Sequence, residues 1–111
     1  MTEITYADFE QVEIHTGCIV RVADFPKARK PAYKLWIDFG PLGIKQSSAQ
    51  ITQLYERDAL VGQQIVAVTN FPPRQIADFM SEVLVLGVVL EAGEVALLQP
   101  DRPVPLGRRV L

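Results

Sequence analysis

The sequence is poor in the residues from which most catalytic and metal sites are built. It has one cysteine (Cys18) and one histidine (His15) among 111 residues. A single thiol allows no internal disulfide. One Cys with one His also falls short of the several nitrogen and sulfur ligands that a zinc site needs. Carboxylates are scattered, no glycine-rich phosphate loop is present, and no G-x-S-x-G elbow offers a nucleophile. His15 therefore has nothing to serve as general base, and it reads as a surface or loop-packing residue. These absences point to a binding module rather than an enzyme, with neither metal nor cofactor. No apolar run approaches the ~20 residues of a membrane-spanning helix. The start, Met1-Thr-Glu-Ile-Thr-Tyr6, lacks the basic and apolar regions of a signal peptide. Cys18, set among apolar residues 14–22, reads as a small buried hydrophobe. The expectation is a cytoplasmic protein that does not insert into membranes.

What is present is apolar content and an uneven charge. Apolar residues make up 49% of the chain, enough for one packed domain over residues 1–111. The formal net charge is −2, yet residues 21–45 hold six basic side chains (Arg21, Lys27, Arg29, Lys30, Lys34, Lys45) against Asp24 and Asp38. Residues 1–20 hold four acids and no Lys or Arg. A concentrated basic segment on an acidic protein suits anion docking, and it equally suits a solvated loop.

Periodicity predicts a mostly β fold. Thr5 and Asp8 have the spacing of a helix cap, so a short helix is expected over Tyr6 to Gln11. From Val12 the period becomes two, with Val12, Ile14, Thr16, Cys18, Val20 and Val22 as the apolar face. Gly17 suggests a bulge or a sharp bend in this first strand. A proline-bounded loop (25–32) precedes a second strand, Tyr33 to Phe39, apolar at Tyr33, Leu35, Ile37 and Phe39. Gly40-Pro-Leu-Gly43 turns into a third strand, 44–48, and Ile51, Leu54 and Tyr55 predict a short helix near 50–55. A fourth strand covers 64–70, a loop runs to Met80, and Val83–Leu90 reads as a buried fifth strand. A hairpin through 91–94 returns as 95–98, before an extended proline-rich tail. Three strands, a short helix and further strands give the order of a five-stranded Greek-key barrel of the oligonucleotide-binding (OB) type, with terminal extensions. An SH3-like barrel is the alternative.

Four features suit a binding surface. Lys34 and Trp36 alternate on the polar face of the second strand, a charge-and-ring arrangement suited to phosphates and stacked bases. Trp36 is equally able to fill the barrel end or a subunit contact. Arg29 and Lys30, with Lys27, sit in the loop directly before them. Asn70-Phe-Pro-Pro-Arg74 sets an amide and a guanidinium on either side of a stiff step. Ser81 and Glu82 open the fifth strand, and the carboxylate suits base amino groups or peptide N–H groups better than phosphate. A separate apolar set, Trp36, Phe71, Ile76, Phe79 and Met80, would suit polypeptide if exposed. Ile76 and Phe79 are equally suited to pack over the barrel mouth or to lie in a dimer seam.

Phe25-Pro-Lys-Ala-Arg-Lys-Pro-Ala-Tyr-Lys-Leu-Trp-Ile-Asp-Phe-Gly40, Ser47-Ser-Ala-Gln-Ile51, Leu60-Val-Gly62, Asn70-Phe-Pro-Pro-Arg-Gln-Ile76 and Ser81-Glu-Val-Leu-Val-Leu-Gly87 together resemble the tRNA-binding domain family. That family includes OB modules appended to aminoacyl-tRNA synthetases and stand-alone homodimers. The resemblance implies a homodimer held partly by N- and C-terminal segments, binding tRNA or other structured RNA, or unfolded polypeptides and preproteins. By position it implies ligand-contact roles for Lys34, Asn70, Arg74 and Ser81. Val83 and Leu84 stand where RNA-binding members show Gly-Met. His15 stands where the stand-alone, secretion-related chaperone branch commonly has Arg. These departures set polypeptide binding ahead of tight tRNA binding.

Overall fold

The computed structural model describes residues 1–111. Helix α1 (Tyr6–Glu10) starts where the cap predicts: the Asp8 N–H donates to Thr5 Oγ1 and the Thr5 N–H donates back to the Asp8 carboxylate. The strands are β1 (Ile14–Asp24), β2 (Tyr33–Asp38), β3 (Ile44–Ala49), β4 (Gln64–Val68), β5 (Arg74–Ile76), β6 (Phe79–Ser81), β7 (Leu84–Val85), β8 (Gly87–Val89) and β9 (Val95–Leu97). Five of them form an antiparallel sheet in the order β3-β2-β1-β4-β7, and β5–β6 and β8–β9 are separate hairpins. The sheet curls into the expected five-stranded OB-type barrel, nearly closed. β3 and β7 share no ladder. Their seam is drawn together by the Glu82 N–H donating to Gln46 O at 2.8 Å and the Ser47 hydroxyl donating to Val83 O at 3.0 Å.

The core is Ile19, Leu35, Ile37, Phe39, Leu60, Ile65 and Ala67, all fully buried. β2 contributes the alternate residues that its period predicts. β1 does not. Its register against β2 runs Ile19↔Ile37 and then Arg21↔Trp36, so Val20 is an extra, unpaired residue. This bulge reverses the strand's inward set, from Gly17 and Ile19 before it to Val22 after it. Val20 is consequently exposed and Cys18 only half-buried, contrary to the single apolar face read from the sequence. Gly17 is not the bulge. It gives room, since a Cβ there would lie 2.6 Å from Ile37 Cγ2 and 2.8 Å from the Phe39 ring.

Three further expectations are corrected. Residues 50–55 contain a turn rather than a helix: Ile51 alone of the spaced trio is buried, and no capping box of the kind that starts α1 supports a single helical turn there. Tyr55 instead joins strands: its carbonyl accepts from the Tyr33 hydroxyl and its own hydroxyl accepts from the Leu97 N–H. The loop expected up to Met80 contains the hairpin β5–β6, turning at Ala77 with φ 52°. The stretch 83–90 is broken between β7 and β8 and is buried only at Val83: Leu84 and Val88 are about half exposed and Val89 more so. Gly87 marks the break, where a Cβ would lie 2.4 Å from Val95 Cγ1.

The tail is extended and pairs with the first half of β1. Thr16 donates its N–H to Arg108 O, and the Gly107 and Val110 N–H groups donate to Thr16 O and Ile14 O. His15 is buried at this end rather than on the surface, with Nδ1 2.9 Å from the Thr69 hydroxyl. That hydroxyl can give its proton to Glu13 O at 3.1 Å, which makes His15 Nδ1 the donor of the pair.

Candidate binding site

The outer face of β2 and the hairpin β5–β6 form a basic, aromatic surface. Phe79 projects from β6 onto Phe25 and Trp36, edge-on to both, with ring centroids 5.6 and 5.9 Å apart. Lys34 Nζ lies 4.9 Å from the Phe25 ring and 5.3 Å from Phe79, and the Arg21 guanidinium sits 4.4 Å over Trp36. Phe25, Ala32 and Phe79 are a second small core, against which Ala28, Trp36 and Ile76 pack. Three of the five apolar candidates for polypeptide contact, Trp36, Ile76 and Phe79, therefore pack within the fold, Phe79 fully and the other two in part. Phe71 and Met80 are exposed, and Ile76 is half-buried.

The tip of the hairpin is fastened to the basic loop by Lys27 Nζ and Asp78 at 2.9 Å. The hydrogen bond from Lys27 holds the Asp78 carboxyl below the usual carboxylate range, with the Lys27 and Lys34 charges acting in the same direction. A depressed folded pKa means that the clasp is complete above the ordinary carboxylate pKa and is lost as pH falls through the lower, folded value. Titration followed by NMR should accordingly show Asp78 protonating at lower pH than in a Lys27→Ala variant, with the Ala77 and Asp78 amides shifting in the same step.

Cross-strand pairing connects the candidates laterally. Lys34 is opposite Ser48, the Ser48 N–H donates to Ser81 Oγ at 3.0 Å, and Ser81 is opposite Arg74. A neighbouring row joins Trp36 to Gln46, whose side-chain amide donates to Met80 O at 2.8 Å. Lys34, Arg74, Ser81 and Glu82 thus meet on one rim, with Arg29 and Lys30 exposed in the adjoining loop. None of Arg29, Lys30, Lys34 and Arg74 is in an ion pair. Ser81 and Glu82 have structural duties, since the Glu82 carboxylate accepts the Gln46 N–H at 3.0 Å and takes a place in the seam. Asn70 stands outside the row: its Oδ1 accepts the Glu13 N–H and its Nδ2 donates to Gln11 O, clasping the end of α1 to the end of β4. Gln46 and Ser48 were missed in the sequence, although their alternation with Lys34 and Trp36 is legible once β3 is set beside β2. Nothing in the sequence pointed to Asp78.

Beyond the last seam bond the barrel opens into a groove of about 700 Å³. The end of β3 with the two residues after it (Ser48 to Ile51) forms one wall, and Val83 to Gly87 form the other. Phe71, Pro72, Arg74, Ile76, Ser81 and Glu82 close one side, and Val89 and Val95 lie at the mouth. The lining is mostly apolar, with Arg74 as its one cation. No group of three or more His, Cys, Asp or Glu side chains converges to hold a metal ion, and no helix is long and apolar enough to cross a membrane.

Comparisons with known proteins agree with this fold. The family described as "Putative tRNA binding domain" matches residues 14–109. The crystal structure of chaperone CsaA from Bacillus anthracis str. Ames superposes with a TM-score of 0.95 and 51% identity, over 99% of this chain and 100% of that one. The CsaA chaperone protein from Picrophilus torridus superposes with a TM-score of 0.91 and 53% identity, over 98% and 100%. A methionine–tRNA ligase of Nanoarchaeum equitans is 35% identical over 109 residues, or 96% of this chain. The chain spans only 13% of that relative, so the likeness is to a domain of the ligase and not to its catalytic whole. With the family match covering nearly all of the barrel, the chain belongs to the tRNA-binding domain family.

Proposed function

We propose that the chain is a cytoplasmic, homodimeric binding protein that holds unfolded or export-bound polypeptides in the groove between β3 and β7, and that it is not an enzyme. The observation that carries this reading is the contrast between groove and basic face. The groove is open and apolar, whereas the rings of the basic face are packed on one another or covered by Arg21. Base stacking needs free ring faces, and polypeptide capture needs accessible apolar surface. The likeness to structures described as CsaA chaperones supports the same reading. The proposed contacts in the groove are Phe71 and Ile76, with Arg74 at the rim, and Met80 is exposed outside its lining. A second copy would cover the outer side of β8–β9, where Val88, Leu90 and Leu98 are exposed. Light scattering should then give twice the chain mass.

RNA binding is the second reading, favoured by the unpaired cations Arg29, Lys30, Lys34 and Arg74 on one side and by the family. The test is titration of tRNA and of an unfolded apolar peptide against the same sample at two salt concentrations. Each phosphate contact contributes about −0.9 to the slope of log affinity against log salt. Peptide binding is expected to survive the higher salt and to weaken in Phe71→Ala, while Lys34→Ala with Arg74→Ala should flatten any RNA slope. Saturable, salt-sensitive tRNA binding without peptide binding would reverse the order of the two readings.

A further inference from the structure

The groove is bounded by strand edges as well as by side chains. Gln50 follows β3, and neither its N–H nor its C=O has a partner in the protein. On the opposite wall the Leu86 N–H donates to Val66 O, while Ala67↔Val85 and Val68↔Leu84 are the paired positions. In an antiparallel ladder, hydrogen-bonded and non-bonded pairs alternate, so Val85 occupies a non-bonded position and turns its N–H and C=O away from β4. Both unpaired edges line the same opening. The seam stops short of them: it consists of the main-chain bond from Glu82 N–H to Gln46 O and of side-chain bonds through Ser47, Ser81 and Glu82.

We infer that the groove takes its ligand as an added β-strand: an extended polypeptide segment with alternating apolar residues, followed by an acidic side chain. This rests on the polypeptide reading above and names the mode and chemistry of capture. Main-chain N–H and C=O groups of the segment pair with Gln50 and Val85, which gives affinity without demanding one sequence. Alternate side chains turn inward over Ile51, Ile76 and Val95, where the lining is apolar. The acidic residue meets Arg74, the groove's cation, which has no carboxylate partner of its own. Glu82 does not compete, because its carboxylate is held by the Gln46 N–H.

The probe is a synthetic peptide of alternating valine and threonine ending in glutamate, compared with the same peptide N-methylated at alternate residues. N-methylation removes main-chain donors and leaves the side chains. Affinity is expected to fall by about tenfold, the effect of a pair of lost neutral hydrogen bonds. In the bound protein the Val85 and Gln50 amides should become protected from hydrogen exchange. Gln50→Pro deletes a donor that has no intramolecular partner, and it should weaken the parent peptide with little loss of fold. Arg74→Gln should abolish the preference for a terminal glutamate over glutamine. Equal binding of parent and N-methylated peptides would overturn strand addition while leaving the groove as a polypeptide site. Binding of neither would overturn both.

Discussion

Phe39→Ala is expected to destabilise the barrel by about 3–5 kcal/mol, close to the loss of a whole aromatic side chain from a packed interior. Phe39 is fully buried immediately after β2, over the place that Gly17 leaves open. Its ring is a ceiling over β1. The neighbouring strands are fixed by their ladders and cannot move in to fill the vacated space, which keeps the cavity term large. Urea unfolding should show a lower midpoint at unchanged slope. A loss below about 1 kcal/mol would mean that the end of the barrel collapses freely, against the description of Phe39 as a rigid core element.

Gly107→Ala is expected to be the second largest effect, about 2 kcal/mol or more, and to act on the tail. Gly107 has φ +80°, a conformation that costs an L-residue roughly 1–2 kcal/mol, and its added Cβ would lie 2.5 Å from Phe39 O. That neighbour is backbone, so relief requires the tail to lift from the barrel. The signature is local. Hydrogen exchange should accelerate at the Thr16 and Val110 amides, which the tail pairing protects, before it does so in β2 or β4. Uniform acceleration across the barrel would show instead that the tail and barrel unfold as one unit.

These expectations separate what a linear sequence carries from what it does not. The α1 cap, β2 and its inward residues were legible because each depends on near neighbours: a hydroxyl three positions from a carboxylate, or a strict alternation. The rim was partly legible: the β2–β3 pairing that sets Lys34 beside Ser48 follows from strands the pattern indicated, whereas the pairing of Arg74 with Ser81 lies in the hairpin β5–β6, which the pattern did not indicate. Most of what was misread depends on partners far along the chain, and the hairpin β5–β6 depends on a local turn without its usual signal. Apolar runs say nothing about which side is covered, so 83–90 read as buried while Leu84 and Val89 are exposed. The β5–β6 hairpin turns at Ala77-Asp78 without the glycine or asparagine that usually marks such a turn. Trp36 and Phe79 look like a free aromatic surface until the hairpin is folded over β2. The duties of Asn70 and Glu82 depend on a carbonyl or an amide at positions 11, 13 and 46, which no local pattern connects to them.

The extra residue in β1 has a consequence for comparing this chain with others. Val20 acts as a frame shift within a single strand: upstream, odd numbers face inside, and downstream, even numbers do. A barrel of the same shape that lacked this insertion would have to invert the polarity of everything before or after it, placing its aliphatic side chains where this one shows a thiol or an arginine. Aligning two such sequences without a gap at that point would match interior with exterior for half a strand and hide a common architecture behind an apparent scramble of hydrophobicity.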